Sequence, residues 1–396
     1  MHDHKTTEYP GYSASERKRR LFWAACIAIL VAITAGCGKP RGDHVDHRYS
    51  IHTKYPSPAQ SASARLAADR YLYKSEQLRI RDAGIQKTLR KDITSKDYAG
   101  AGKTMGKLEK ESRSDPRYES LYVDTLKSIT SCDHPDRAIE RALLDYQSSR
   151  PKSPWPHILL GRYYDSAACH ARGHSYANKV RDDQWVAMQN FDRRAYSEYQ
   201  QALKINKKLF PAYDGMMRIL IGLGTLRQIT SVYHRSRAFL PKSYILAEIY
   251  MNALEPRWQG SYKLMRGFAR SMQKRLDENP RFYNLLGAVY ADKADMAYMN
   301  KKYLHSAEEY TIALIYGDNT DWLSSAGYAT VNAGLDLVSY RYFKRYMFYK
   351  KKNPKIRRLM ERIKRYCAGH PKERNCEAGI PKFLKMESYS ALRASR

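Results

Sequence analysis

The chain has 396 residues, 43% of them apolar, and a formal net charge of +30. That apolar share is ordinary for a folded protein and excludes a wholly disordered chain, and the length allows two or three domains or one elongated repeat array. The charge excludes a neutral surface. It keeps a secreted protein soluble, and it draws anions without specificity, whether nucleic acid, lipid headgroups, lipopolysaccharide or acidic protein. It is also uneven: residues 341–396 hold 18 Lys and Arg against 4 Asp and Glu. The 33 tyrosines bring apolar area with a polar tip, which suits helix–helix seams and wet grooves.

Residues 21–38 carry no charge and follow Arg17, Lys18, Arg19 and Arg20. A basic stretch, a short apolar core and small residues at its end make a secretory signal. The core is short for a membrane span, which needs ~20 residues. Thr34-Ala35-Gly36-Cys37 resembles the lipobox of bacterial lipoproteins, with Thr34 where the family usually has Leu. The resemblance implies cleavage after residue 36 and acylation of Cys37. Gly38, where a retention signal has Asp, favours the outer membrane over the inner. An uncleaved signal anchor is the alternative. Both readings place the rest in the periplasm, where disulfides form.

Residues 37–61, rich in Pro, Ser and His, read as a disordered tether. From residue 62 onward, helices of 12–20 residues alternate with marked turns, and no alternating β-branched stretch occurs. Ser95 is expected to cap a helix through Glu109. Asp115-Pro116, His134-Pro135-Asp136, Asn279-Pro280, Asn319-Thr320 and Asn353-Pro354 are expected to open others. The expected fold class is all-α, a solenoid of antiparallel helix pairs. Its parts are helical hairpins over 62–150, a core over 151–353, and a basic helix and tail over 354–396. Cys132, Cys169, Cys367 and Cys376 remain outside the signal segment. Cys367 and Cys376 flank a short turn and are paired, which leaves Cys132 with Cys169; four free thiols are the alternative.

Ala195, Tyr199, Ala202 and Leu203 share one helix face, and Tyr310, Ala313 and Leu314 repeat it, with Ser306 at the first small position. Leu160-Gly161 with Tyr164, and Leu286-Gly287 with Tyr290, form a second repeated pattern. Together they resemble the tetratricopeptide repeat, with insertions that lengthen each unit. Over residues 150–350, Ala171-Arg172-Gly173, Tyr176-Ala177, Val180, Trp185, Phe191, Leu209 and Pro211 form one signature. Residues 254–261 (LEPRWQGS) and Gly317-Asp318 add two more. This set resembles a helical bacterial family known as a domain of unknown function, which implies the fold and no activity.

No catalytic constellation is visible. His170 and His174 are four apart but lack the Glu of a zinc-protease motif, and Gly173 ends their helix. His305 with Glu308 and Glu309 reads as a solvated face. Asp292 and Asp295 are expected to pair with neighbouring cations rather than cleave carbohydrate. No metal or cofactor is expected. Val338, Tyr342, Tyr346 and Tyr349 are expected to pack inward, leaving Arg341, Lys344 and Arg345 outward.

The functional expectation is a lipid-anchored, periplasmic scaffold whose concave face binds another envelope protein, in assembly, secretion or immunity. Arg172, Arg257, Trp258, Tyr164, Tyr199 and Tyr290 are the candidate partner-facing residues. The alternative is electrostatic binding to an anionic surface, lipid headgroups before nucleic acid, through the basic C-terminal region. A wall-acting enzyme is the least favoured class.

Overall fold

The computed structural model describes residues 58–370 apart from Tyr176. The signal segment, Cys37, the tether up to residue 57, Cys376 and the C-terminal tail lie outside the described residues. Among the described residues there are sixteen α-helices and no strand. The first five are α1 (Pro58–Arg81), α2 (Gly84–Thr94), α3 (Tyr98–Ser114), α4 (Glu119–Lys127) and α5 (Arg137–Ser149). Then come α6 (Trp155–Arg172), α7 (Asp182–Ile205), α8 (Phe210–Leu223), α9 (Leu226–Phe239), α10 (Tyr244–Ala253) and α11 (Tyr262–Met272). The last are α12 (Ala288–Met299), α13 (Tyr303–Ala313), α14 (Thr320–Asn332), α15 (Asp336–Tyr349) and α16 (Pro354–Gly369). None of these helices is long and apolar enough to cross a membrane. The boundaries placed at 150 and 353 fall inside one compact unit.

The turns follow their chemistry. Asp115, Asn279, Asn319 and Asn353 each accept a backbone N–H at the start of the following helix. Two expected starts move. Ser95 ends α2, its hydroxyl bonded to Lys91 O at 2.9 Å. Lys96 then turns the chain at φ 60°, and Asp97 caps α3 through Gly100 N at 2.9 Å. At the other start, Asp136 is the cap, accepting from Ala138 N, and Pro135 precedes the helix.

Consecutive helices pack as antiparallel pairs, α6 on α7, α12 on α13 and α14 on α15. The small-residue pattern explains how closely they approach. A Cβ added at Gly161 of α6 would lie 2.6 Å from the Tyr199 ring, and one at Gly215 of α8 would lie 2.2 Å from it. One tyrosine ring is thus clamped between two glycines of neighbouring helices. At Gly287 an added Cβ would meet Ala313 O at 2.5 Å. Leu286-Gly287 closes a 3-10 stretch, Pro280–Gly287, rather than lying in an α-helix. Three residues per turn eclipse Arg281 and Asn284 on one face, and both reach the carbonyl of Asp318.

The disulfide Cys132–Cys169 is present, with a Cα–Cα distance of 5.3 Å, and ties the loop before α5 to the end of α6. His170 Nδ1 lies 3.0 Å from Cys132 O and His174 Nε2 lies 2.9 Å from Asp133 Oδ1. The two histidines therefore hold this loop and do not converge on a metal position. Closing a loop of 37 residues restricts the unfolded chain by about 4 kcal/mol.

The first helix is not paired with its sequence neighbour. α1 lies along elements from both ends of the array. Ser75 Oγ donates to Arg117 O at 2.8 Å, and Arg79 Nε donates to Asp124 Oδ2 at 2.7 Å. Toward the C-terminal side, Glu76 pairs with Lys350 Nζ at 2.9 Å and Tyr73 stacks on Phe348 at 5.1 Å. Asn279 Nδ2 donates to Tyr71 OH at 3.3 Å.

Gly215→Ala tests the glycine clamp. Overpacking of this kind costs about 1–3 kcal/mol. Urea unfolding should show a loss in that range, and a neutral change would mean that Tyr199 is not confined as described.

Candidate functional site

Asp318 occupies the junction between α1, the 3-10 stretch and α15, and is 0% exposed. Gly317, at φ 112°, lets the chain turn into it. An added Cβ there would sit 2.9 Å from Asn284 Nδ2 and 3.2 Å from Asp69 Oδ1. Asp318 N donates to Asp69 Oδ1 at 2.5 Å. Its carboxylate accepts from Arg345 Nε at 2.8 Å and from Tyr349 OH at 2.7 Å. Arg345 is 4% exposed, which corrects the outward position expected for it. Arg345 follows Tyr342 by three residues and precedes Tyr349 by four, so it shares their inward face. Arg341 and Lys344 are exposed as expected. Burial, then the facing Asp318 carboxylate, pushes Asp69 up to about 7 against the pull of Arg345. Burial would lower Arg345, but the charges of Asp318 and Asp69 outweigh it and raise it.

Beside this junction lies a polar cleft of about 270 Å³. Five helices, the 3-10 stretch and the end of α15 supply its walls: Arg79 from α1, Lys127 from α4, Arg218 from α8, Glu248 from α10, Arg281, Asp321 from α14 and Lys350 just past α15. Part of this charge is internally compensated. Arg218 pairs with Asp214 at 3.0 Å. Glu248 accepts from Tyr244 OH at 2.9 Å and Asn319 Nδ2 at 3.1 Å, and burial raises its carboxyl against Arg281. Arg281 lies 4.6 Å above the Tyr244 ring. Lys127 and Asp321 are exposed to the cleft. Partial burial, then Arg218 and Arg162, lowers the Lys127 ammonium below its usual value.

A second cavity of about 600 Å³ shares Pro116 and Glu119 with the cleft and is walled by Trp155 and Phe239. Glu109 lies beneath it. Among the described residues no donor has hydrogen-bond geometry to either Glu109 oxygen. Burial pushes its carboxyl up to about 7, against the nearby Arg113 charge, Phe210 amide and Tyr122 hydroxyl.

The residues expected to face a partner divide. Tyr164 and Tyr199 are core residues, each 2% exposed, which corrects their expected place near a groove. The Arg194 guanidinium caps the Tyr164 ring at 3.9 Å and donates to its hydroxyl. Arg172 lies over the Trp185 ring at 5.5 Å and donates to Gly173 O at 3.1 Å, so it holds its own loop. Arg257, Trp258 and Tyr290 remain near solvent. Trp258 is 38% exposed on a turn closed by Gln259 at φ 72°. An added Cβ at Gly260 would collide with Leu254 O at 2.0 Å, so only glycine fits. Arg257 binds Glu255 at 2.7 Å, Asp292 at 2.9 Å and Asp295 at 3.9 Å. The carboxylate pair of α12 is therefore bound to a guanidinium, as its spacing suggested. Tyr290 stacks with Tyr316 at 6.1 Å. Among the described residues no group of three His, Cys, Asp or Glu could hold a metal ion.

The cleft was not foreseen. Its lining runs from Tyr71 to Lys350, too scattered for any linear motif. The one signal in reach was Gly317-Asp318-Asn319, where a glycine and a capping residue enclose an acid.

The fold is thus that of an all-helical, repeat-like protein. Residues 86–233 match the family described as a domain of unknown function, DUF4034. The match runs from α2 into α9 and leaves out α1, the Trp258 turn and Asp318. No curated protein matches the chain.

Glu109 gives a test of the buried-charge reading. A carboxyl raised in the folded state holds its proton more tightly there, so its contribution to stability falls as pH rises from about 4.5 to about 7. Glu109→Gln keeps the neutral form. Urea unfolding at pH 8 should find the variant about 1–3 kcal/mol more stable than wild type, with the gap closing near pH 4. A pH-independent gap would contradict the assignment.

Proposed function

We propose that this protein is a lipid-anchored, periplasm-facing scaffold that binds another protein in the bacterial envelope. The observation that carries the reading is the cleft lined by five helices, the 3-10 stretch and the end of α15. In a helical array each pair packs mainly on its neighbours, which leaves an inner surface for a partner. Here that surface presents charge of both signs on rigid helices. Such an arrangement selects a partner by electrostatic complementarity more than by buried apolar area. α1 lines the cleft and is the first described helix after Cys37. The Trp258 turn supplies a second, aromatic contact on the outer surface, where a half-exposed Trp beside Arg257 suits a protein interface. Envelope assembly, secretion and toxin immunity are the roles that use such a lipoprotein, and no catalysis is assigned to it.

The test is capture from detergent-solubilised envelopes with the full chain, comparing wild type with Lys127→Glu/Asp321→Lys. Both residues are exposed and the exchange keeps net charge. One stoichiometric protein that survives moderate salt on the wild type, and is reduced tenfold or more on the variant, is the expected result. Equal capture by both would overturn the cleft as the binding surface. Recovery of phosphate-rich material alone, lost as salt rises, would overturn the scaffold reading.

A further inference from the structure

The last helix carries a surface that the scaffold reading does not use. α16 contains Lys355, Arg357, Arg358, Arg362, Lys364 and Arg365 against the single acid Glu361, and all seven are exposed. Ile356 and Ile363 are buried on the side facing α15. At 100° per residue, Arg358, Arg362 and Arg365 form an i, i+4, i+7 stripe on the solvent side, with Arg358 and Arg365 opposite those isoleucines and Arg362 about 100–120° from them. Arg362 attracts the Asp336 carboxylate of α15, while among the described residues no ion pair is seen at Arg358 or Arg365. The hydrogen bonds seen for the arginines of this face go to backbone carbonyls, Arg357 to Lys351 O at 3.1 Å and Arg358 to Pro354 O at 3.3 Å. Near the end of the helix Tyr366 is 40% exposed, a residue type suited to the boundary between water and apolar medium.

The orientation of this face follows from register. Asp69 interacts with Arg345, Tyr73 with Phe348 and Glu76 with Lys350, so α1 and α15 run parallel. α16 returns antiparallel to α15 after a short turn. The end of α16 therefore lies toward the end of the body at which the chain enters α1.

We propose that the outer face of α16 is a membrane-docking surface for anionic lipid headgroups. It would act as a second contact beside the N-terminal lipid and fix how the body stands on the membrane. The orientation rests on the lipid-anchored reading; the affinity of α16 for an anionic bilayer does not. A lipid on a flexible chain leaves the orientation of the body free, and a polybasic patch is a common second membrane contact. Each basic side chain near an anionic surface contributes about fivefold in partitioning, about 1 kcal/mol, so the three-arginine stripe is worth on the order of 100-fold. This face is one-sided and has its apolar residues turned inward. That matches a planar array of headgroups better than a single-stranded nucleic acid, which needs stacking aromatics along its path.

The experiment is sedimentation of the full chain carrying Cys37→Ser, so that no acyl group contributes, with vesicles of phosphatidylcholine alone or with phosphatidylglycerol. The expected result is binding only to the anionic vesicles, weakened steeply by salt. Arg358→Gln/Arg362→Gln/Arg365→Gln should weaken it about 100-fold with an unchanged helical circular-dichroism spectrum. Equal binding by this variant would overturn the proposal, as would binding to neutral vesicles alone. Displacement from the anionic vesicles by an equimolar single-stranded oligonucleotide would assign the face to nucleic acid instead. The anchor is tested separately, by whether Cys37→Ser releases the protein from cell envelopes into the soluble fraction. Failure there removes the orientation and leaves the vesicle result standing.

Discussion

The carboxylate of Asp318 sits where three distant parts of the chain meet, with no access to water. Its own amide binds Asp69 of the first helix, its oxygens bind Arg345 and Tyr349 of the fifteenth, and its carbonyl receives Arg281 and Asn284. A charge buried this deeply is tolerated only if paired and bonded on every side. That requirement fixes much else. Gly317 must be glycine to admit Asp69 and Asn284. The stretch before α12 must tighten to three residues per turn so that two side chains reach one carbonyl. α1 must leave its sequence neighbours and lie along the far end of the array.

This closure changes what a helical repeat array means here. Arrays built only from neighbour contacts gain stability repeat by repeat and open from their ends. In this chain the Asp69–Asp318 contact spans 249 positions, and Glu76 and Tyr73 extend the seam along α15. The two ends are coupled, so the cleft between them has a fixed width. A binding surface made of rigid, pre-positioned charges loses little ordering entropy when a partner arrives.

How much of this was legible depends on the range of the interaction. Local rules worked for capping by Asn319 and Asn353, and the Cys132–Cys169 pairing followed once Cys367 was set with Cys376. The α15 face was read correctly for Val338, Tyr342 and Tyr349 but not for Arg345. A charged residue inside an apolar stripe is assigned outward unless its counter-charge is known, and that counter-charge lies 27 positions away. Tyr164 and Tyr199 were placed near a groove because aromatic residues serve both seams and grooves, and the sequence does not say which glycines face them. α1 has no clear apolar stripe, since neighbours surround it on several sides and most of its bonds are polar. The cleft follows from its placement and was equally hidden.

The central claim is that Asp318 holds α1 to the body. Hydrogen exchange across α1, followed by mass spectrometry in wild type and Asp318→Asn, tests it most directly. The substitution keeps the shape and removes the nearer of the two carboxylates that act on Arg345, a change of up to about 3–5 kcal/mol. The account predicts that α1 amides exchange at least about 100-fold faster in the variant, while peptides of α5 and α6, tied by the disulfide, stay protected. Unchanged protection of α1 would contradict it and would place the tie between the two ends of the array elsewhere.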